Sequence, residues 1–362
     1  MNVTIVDCFE TWEQRVDLLY NYFINKGDDV CVYMSDWLHF SKKRRIDQKK
    51  GFNFIHSTPY KRNISLARLY SHSKLAKDIF KELKKKNIDV LWVLIPPNSF
   101  VKAAAKYKLL YPNVKLIFDV IDMWPETMPV RKIKSFPLIR FWRGLRDRYI
   151  NFADTVVTEC NLYQNVLKTS VDMNNMITLY LARVPKDFKS KPCLPENQWN
   201  LCYLGSINNI IDIEEIIRII IELGTKKPVT LHIIGDGEKR EELVESARKA
   251  GATVINYGKV FDLTEKQKIF DKCHYGLNIM KSSVFVGLTM KSIDYFEAGL
   301  PIINSIRGDT WELVEKKELG INIDKLNPNF YDIKQRNNCR IFFENQFSVI
   351  NFNQTLDRII NR

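Results

Sequence analysis

Twice along this chain, short apolar runs alternate with helical patterns, and one proline-rich polar stretch separates the two series. In the first series VTIVD (Val3 to Asp7), DVCVYM (Asp29 to Met34), VLWVLI (Val90 to Ile95), KLIFDVID (Lys115 to Asp122) and TVVTEC (Thr155 to Cys160) read as strands. Helical stretches at 12–25, 67–86 and 99–110 lie between them. Runs that are apolar at nearly every position have no face to give to water, so they belong in parallel sheets covered on both sides. PKDFKSKPCLPENQ, residues 185–198, carries three prolines and no periodicity, and reads as a linker. Beyond it the strands are expected at 200–206, 229–237, 253–260, 275–280, 300–305 and 320–324, with helices at 212–222, 238–250, 265–271 and 290–298. The expectation is an α/β protein of two doubly wound domains, 1–185 and 199–346, joined by residues 186–198, with a terminal helix over 347–362.

A chain of 362 residues suits two such domains. No apolar run approaches the roughly 20 residues that span a bilayer, and MNVTIVDCFE lacks the basic start of a signal peptide. Seven scattered cysteines without a C-x-x-C pair point to thiols in a reducing cytoplasm rather than to disulfides or zinc. Charge is the asymmetric property. Residues 1–185 hold 30 Lys and Arg against 18 Asp and Glu, and the remainder holds 25 against 24. A one-sided basic domain implies a polyanionic partner: an anionic membrane, a phosphorylated substrate or nucleic acid. No nucleic-acid motif accompanies the charge, and aromatics are not interleaved for base stacking, so the last is excluded. Oligomeric state leaves no mark on the sequence.

Two segments of the second series carry chemistry. VFVGLTMKSIDYFEAGLPIINS, Val284 to Ser305, reads as a turn, a helix opening after Gly287, and a buried strand. Unpaired N–H groups and the positive dipole end make such a helix start a phosphate site. Asp294, one turn further in, is placed to hold a ribose diol. LHIIGDGEKREELVESARK has a strand ending in Gly235-Asp236-Gly237 before a helix, without the third glycine of a dinucleotide fingerprint.

The order YLGS, GDG, NYGKV, GLTMKSIDYFEAGLP is similar to the donor half of nucleotide-sugar-dependent glycosyltransferases with the GT-B fold, family 4 in particular. The resemblance implies two facing Rossmann-like domains and a terminal helix crossing back to the first. It implies a nucleotide-diphosphate sugar, a UDP-sugar first, as co-substrate, with no other cofactor and usually retention at the anomeric carbon. No D-x-D stands at a strand end, so no metal is implied. Carried over residue by residue, it assigns donor binding to Gly205, Ser206, Gly235, Asp236, Gly237, Tyr257, Gly258, Lys259 and Val260. Gly287, Leu288, Thr289 and Met290 are expected to grip the pyrophosphate through amides and the Thr289 hydroxyl. Asp294, where glutamate is more usual, takes the ribose, and Lys291 neutralises the leaving diphosphate. Two departures stand out: the acid expected eight residues before Asp294 is Val286, and YLGSINNIIDIEE lacks the usual basic pair. Neutralisation then falls to Lys291, the helix amides, Lys281 or Lys239.

In the first series KLIFDVIDMWPETMP resembles the D-x-W-P-E stretch of bacterial polysaccharide glycosyltransferases, which lines their interdomain cleft. Asp122 is the first candidate to position or deprotonate an acceptor hydroxyl and Glu126 the second. The alternative is that Asp122 caps the following turn. Glu10 and Arg15 lie where family members carry a glycine-rich loop. RKIKSFPLIRFWRGLRDRYINF (131–152), with seven Lys and Arg among Phe136, Phe141 and Trp142, and KKRRIDQKK (42–50) suit an anionic membrane surface. The expected function is transfer of a sugar to a glycan or lipid-linked glycan acceptor in cell-surface polysaccharide (capsule, exopolysaccharide) or glycoprotein synthesis, in the cytoplasm or on the inner membrane face. The alternative is a catalytically inert GT-B subunit or chaperone-like partner.

Overall fold

The computed structural model describes residues 1–63, 65–128, 137–184 and 190–362. Strands β1 (Asn2–Val6), β2 (Asp29–Ser35), β3 (Trp37–Leu38), β4 (Lys43–Arg44), β5 (Phe52–Ile55), β6 (Val90–Ile95), β7 (Lys115–Val120), β8 (Thr155–Thr158) and β9 (Met176–Thr178) belong to the first half of the chain. All but the β3–β4 hairpin join one sheet in the order β5-β2-β1-β6-β7-β8-β9. Every pairing in that sheet is parallel. Helices α1 (Glu13–Asn25), α2 (Leu66–Leu83), α3 (Asn98–Leu110), α4 (Pro137–Asp147) and α5 (Asn161–Leu167) make the crossovers. β6 is buried at all six positions, the burial its unbroken apolar run demands.

The second half repeats the plan. Strands β10 (Trp199–Leu204), β11 (Val229–Ile234), β12 (Thr253–Gly258), β13 (Tyr275–Asn278), β14 (Ile302–Asn304) and β15 (Gly320–Asn322) form a parallel sheet in the order β12-β11-β10-β13-β14-β15. Helices α6 (Ile213–Gly224), α7 (Arg240–Lys249), α8 (Leu263–Phe270), α9 (Met290–Glu297) and α10 (Asp309–Lys317) alternate with them, followed by α11 (Lys334–Phe347) and α12 (Val349–Ile360). Short polar residues fix where helices begin: the side chains of Asp212, Asp262 and Thr289 each accept the N–H three residues on, at the starts of α6, α8 and α9.

Two compact units result, Met1–Ala182 with Phe352–Arg362, and Arg183–Asn351. The first unit takes back the chain's end because α12 is amphipathic: Phe352, Leu356 and Ile359 are buried in the same cluster as Val3, Phe23 and Trp92. Where a terminal helix was expected over 347–362 the structure has α12; α11 is a separate helix before it that ends at Ser348, which has extended backbone. The expected linker is corrected. Residues 185–189 lie outside the described residues, but Ser190 Oγ and the Lys191 N–H both donate to the Asp271 carboxylate, and Cys193 N–H to its carbonyl. That part of the stretch is therefore built into the second unit. Among the described residues no helix is long and apolar enough to cross a membrane.

Candidate functional site

In the second unit the start of α9 is anchored from below by a row of buried amides. Asn278, Asn304 and Asn322 end β13, β14 and β15, and each passes a hydrogen bond along: Asn278 Nδ2 to Asn304 Oδ1 at 2.9 Å, Asn304 Nδ2 to Asn322 Oδ1 at 2.8 Å, Asn322 Nδ2 to the Trp311 carbonyl at 3.1 Å. The free end of the row, Asn278 Oδ1, accepts the Thr289 hydroxyl at 2.7 Å. Thr289 Oγ1 in turn accepts the Ser292 N–H as N-cap. This corrects the expectation that the Thr289 hydroxyl donates to a pyrophosphate: its proton is committed to Asn278. The N–H groups of Met290 and Lys291, in the first helical turn, have no preceding helical carbonyl to bond. Gly287 is held beneath them, its carbonyl accepting both the N–H and the hydroxyl of Thr310 at 2.9 and 2.8 Å.

Lys291 is half-buried on this turn. Its Nζ lies 4.4 Å from the Tyr203 ring centroid and donates to the Tyr203 hydroxyl at 3.3 Å. Burial pushes its pKa down to about 8. Among the described residues no carboxylate pairs with it. An ammonium desolvated against an aromatic face, beside a helix start and without a counter-anion, is a site waiting for negative charge. The other proposed cations differ. Lys239 is paired with Glu242, and it shares a cavity of about 360 Å³ with the exposed Lys281, opposite Asp212 and Glu214.

Asp294 is not a bare carboxylate. Its Oδ1 is ion-paired with Arg183, whose NH1 also lies 4.0 Å from Glu297. The Arg183 contact is to Oδ1 alone. Sequence reasoning missed Arg183, which stands more than a hundred residues from its partner and belongs to no local pattern.

The glycines of the GDG segment are demanded by the packing of neighbouring loops. A Cβ on Gly235 would stand 2.0 Å from the Gly205 carbonyl oxygen, and one on Gly237 would stand 2.2 Å from that of Ile207. The loops after β10 and β11 interlock backbone to backbone: Ile207 N–H donates to the Asp236 carbonyl and Lys239 N–H returns to the Ile207 carbonyl. Gly235 N–H also donates to the Gly258 carbonyl at 2.7 Å, so Gly205, Gly235 and Gly258 end three neighbouring strands in contact. Asp236 Oδ1 accepts from Gly237 N–H and from Arg240, an arrangement that orders the turn. Tyr257 stacks on His232 and shares a 2.9 Å hydrogen bond with it. Ser206 and Lys259 are exposed at the same sheet end and Val260 is half-buried.

In the first unit both expected catalytic carboxylates are engaged. Asp122 Oδ2 accepts from Trp124 Nε1 at 2.7 Å and Oδ1 from the Thr127 hydroxyl at 2.5 Å. It caps its own turn, and burial raises its pKa despite those bonds. Glu126 is corrected as a base: Arg146 grips both its oxygens, at 2.8 and 3.0 Å, with a guanidinium that is 1% exposed. Arg15 and Asp119 form a bidentate buried pair to which Trp92 Nε1 also donates, and Glu10 accepts the Phe40 N–H.

What the sequence did not reveal lies at the same carboxyl edge of that sheet. Asp7 follows β1 and Glu159 follows β8; burial pushes their carboxyls up to about 8 and about 7. Buried Arg68 lies against the rings of Phe9, Tyr60 and Trp124, 4.3 Å from the last. His72 beside it has neither ring nitrogen hydrogen-bonded, and burial keeps it neutral. The one available signal was the spacing of Ser65, Arg68 and His72, polar residues at three- and four-residue steps, of which Arg68 and His72 lie on the buried face of an amphipathic helix. Perturbed acids at strand ends, with an aromatic-lined guanidinium from α2, make this the unit's candidate polar site.

Two parallel α/β units, each a twisted sheet flanked by helices, define a protein of two Rossmann-like domains. Residues 198–331 match the family model described as glycosyl transferases group 1. Curated proteins give no match to the sequence. Solved structures are similar over the whole chain. The lipopolysaccharide outer core galactosyltransferase WaaB in its apo form has a TM-score of 0.68 at 14% identity, covering 100% of this chain and 99% of that one. HepE of Anabaena in complex with UDP has 0.69 at 13%, covering 100% of both. Sucrose-phosphate synthase from Thermosynechococcus elongatus has 0.70 at 12%, covering 100% and 98%. The fold is GT-B, that of a large class of glycosyltransferases.

Proposed function

We propose that the chain is a glycosyltransferase that holds a nucleotide-diphosphate sugar in its second unit and passes the sugar to a glycan or lipid-linked glycan acceptor. The observation that carries this reading is Lys291, a cation with no counter-anion among the described residues, at the amide-rich start of α9. The diphosphate would lie on the N–H groups of Met290 and Lys291 with the ammonium against it. Asp294 would offer its unpaired oxygen to the ribose while Arg183 holds its orientation. HepE has been crystallised with UDP and with UDP-glucose, which makes a UDP-sugar the first donor to test.

Transfer with retention fits the first unit, where Asp122 and Glu126 are both occupied and neither offers a ready base. The enzyme's work is then to hold donor and acceptor together and to stabilise charge on the departing diphosphate. We place the reaction at the cytoplasmic face of a membrane, in surface polysaccharide or glycoprotein assembly, because the first half carries nearly all the positive excess. A second reading, a nucleotide-binding but inert GT-B subunit, is favoured by Val286 in place of an acid and by the Arg183–Asp294 pair.

The test is binding followed by turnover. Calorimetry with UDP, GDP and dTDP should show micromolar affinity for at least one, weakened on the order of tenfold or more in Lys291→Ala and in Asp294→Ala. Sugar release from the matching nucleotide sugar then decides between enzyme and inert subunit. Absence of affinity for every nucleoside diphosphate would end both readings.

A further inference from the structure

We propose that the groove between α2, α3 and α4 docks the first unit on an anionic phospholipid surface; this rests on the membrane-side reading above and gives it a location. The groove encloses about 600 Å³, and its floor includes Phe80, Tyr107, Leu110 and Phe141. Leu110 and Phe141 are 61% and 63% exposed, a large apolar surface to leave against water. Around that floor stand Lys77, Lys81 and Lys84 from α2 and its end, and Lys102 and Lys106 from α3.

These five lysines repel one another at helical spacings of three and four residues. Among the described residues none forms an ion pair. The acids nearest in sequence are used elsewhere on the helix, Asp78 by Lys74 and Glu82 by Lys85. A second cavity of about 460 Å³ continues the same face, sharing Lys102 and Phe141 and adding Arg140, Arg148 and an Arg143 that is paired with Asp147 at 3.7 Å. Cations ringing an apolar floor on one face match an interfacial element, whose apolar part enters the acyl boundary while its charges meet phosphate headgroups. A free phosphate would leave the floor exposed.

The location differs from the stretch that sequence alone singled out. Residues 131–136 lie outside the described residues. Within α4, Trp142 and Arg146 are buried, leaving Phe141 and Arg140 on the surface. The lysines of α2 and α3, scattered through ordinary amphipathic helices, supply the remaining charge.

The experiment is flotation of the full chain with neutral phosphatidylcholine vesicles and with vesicles containing about a third phosphatidylglycerol. Binding is expected to the anionic vesicles only, falling steeply as salt is raised. The triple variant Lys77→Glu, Lys81→Glu, Lys106→Glu should weaken it on the order of a hundredfold. Phe141→Ser should weaken it on the order of tenfold, whereas Lys43→Glu with Lys50→Glu should change it less than threefold. Unchanged stabilisation of the triple variant by a nucleoside diphosphate shows that it is folded and keeps this result separate from the transferase reading. Wild-type binding that the triple variant retains overturns the groove while leaving a membrane role. No wild-type binding, or equal binding to neutral vesicles, overturns both. Wild-type capture by an acidic peptide in place of lipid overturns the lipid assignment.

Discussion

Lys291 and Asp7 are both held far from their ordinary protonation range by burial, with opposite consequences. Lys291 titrates at about 8 when its site is empty. A bound diphosphate stabilises the ammonium, so affinity should fall as pH rises through 8, by up to about tenfold per pH unit. Lys291→Arg keeps its charge and should hold a flat affinity between pH 7 and 9.5 in calorimetric titration. A wild-type profile equally flat would remove Lys291 from the site. Asp7 has its pKa raised from 3.8 to about 8 by burial, with Oδ1 accepting the Cys8 and Phe9 N–H groups and Oδ2 unpartnered. The folded state binds that proton more tightly than the unfolded chain, so its stability contribution is full below pH 4 and lost as pH climbs to about 8. The melting temperature of Asp7→Asn, relative to wild type, should therefore rise steadily from pH 5 to pH 8. A constant difference across that range contradicts the assignment. Neither shift was readable from sequence, because neighbours in sequence do not set burial.

At the scale of elements, the strand-end loops of the second unit show how a correct position can have a different cause. GDG was legible as a tight turn after a strand, yet the steric demand comes from the Gly205 and Ile207 carbonyls of the adjacent loop. Gly235→Ala should cost about 3 kcal/mol or more, since a backbone oxygen 2.0 Å from the new Cβ cannot move aside cheaply. Gly251→Ala, with φ +88 and open space around it, should cost only about 1–2 kcal/mol. Chemical denaturation of the two variants checks the contrast. The amide row beneath α9 is a second case. Asn278→Leu leaves the Thr289 hydroxyl without its Asn278 acceptor and Asn304 Oδ1 without the Asn278 donor, a loss of about 2–4 kcal/mol that should also weaken nucleotide binding. α9 itself was legible from its cap and dipole pattern. The amide row was not, because each asparagine sits on a different strand. β5 and β9 escaped too: they are short edge strands of four and three residues, too brief for a periodic signal.

For the whole molecule, the return of α12 to the first unit makes the chain's last residues part of its earliest core. Removing residues 352–362 strips Phe352, Leu356 and Ile359 from that cluster, at about 1.5–3 kcal/mol each. The calorimetric transition of the first unit should then be lost or fall by more than 10 °C, while the second unit, which closes its own core, retains nucleoside diphosphate binding. Equal loss in both units would show that the two cores are not independent.

Strand and helix order, the two-unit plan and the capped start of α9 were determined by local features: apolar runs, caps, glycine and proline punctuation. Such features act between residues a few positions apart, and a sequence displays that distance directly. Which carboxylates are free was decided only by tertiary structure. Arg146 takes Glu126, Arg183 takes Asp294, and Trp124 with Thr127 closes on Asp122, while burial alone sets Asp7, Glu159 and Lys291 apart. Ion pairing and desolvation depend on what packs in three dimensions, and for Arg183 and Asp294 that partner lies more than a hundred residues away.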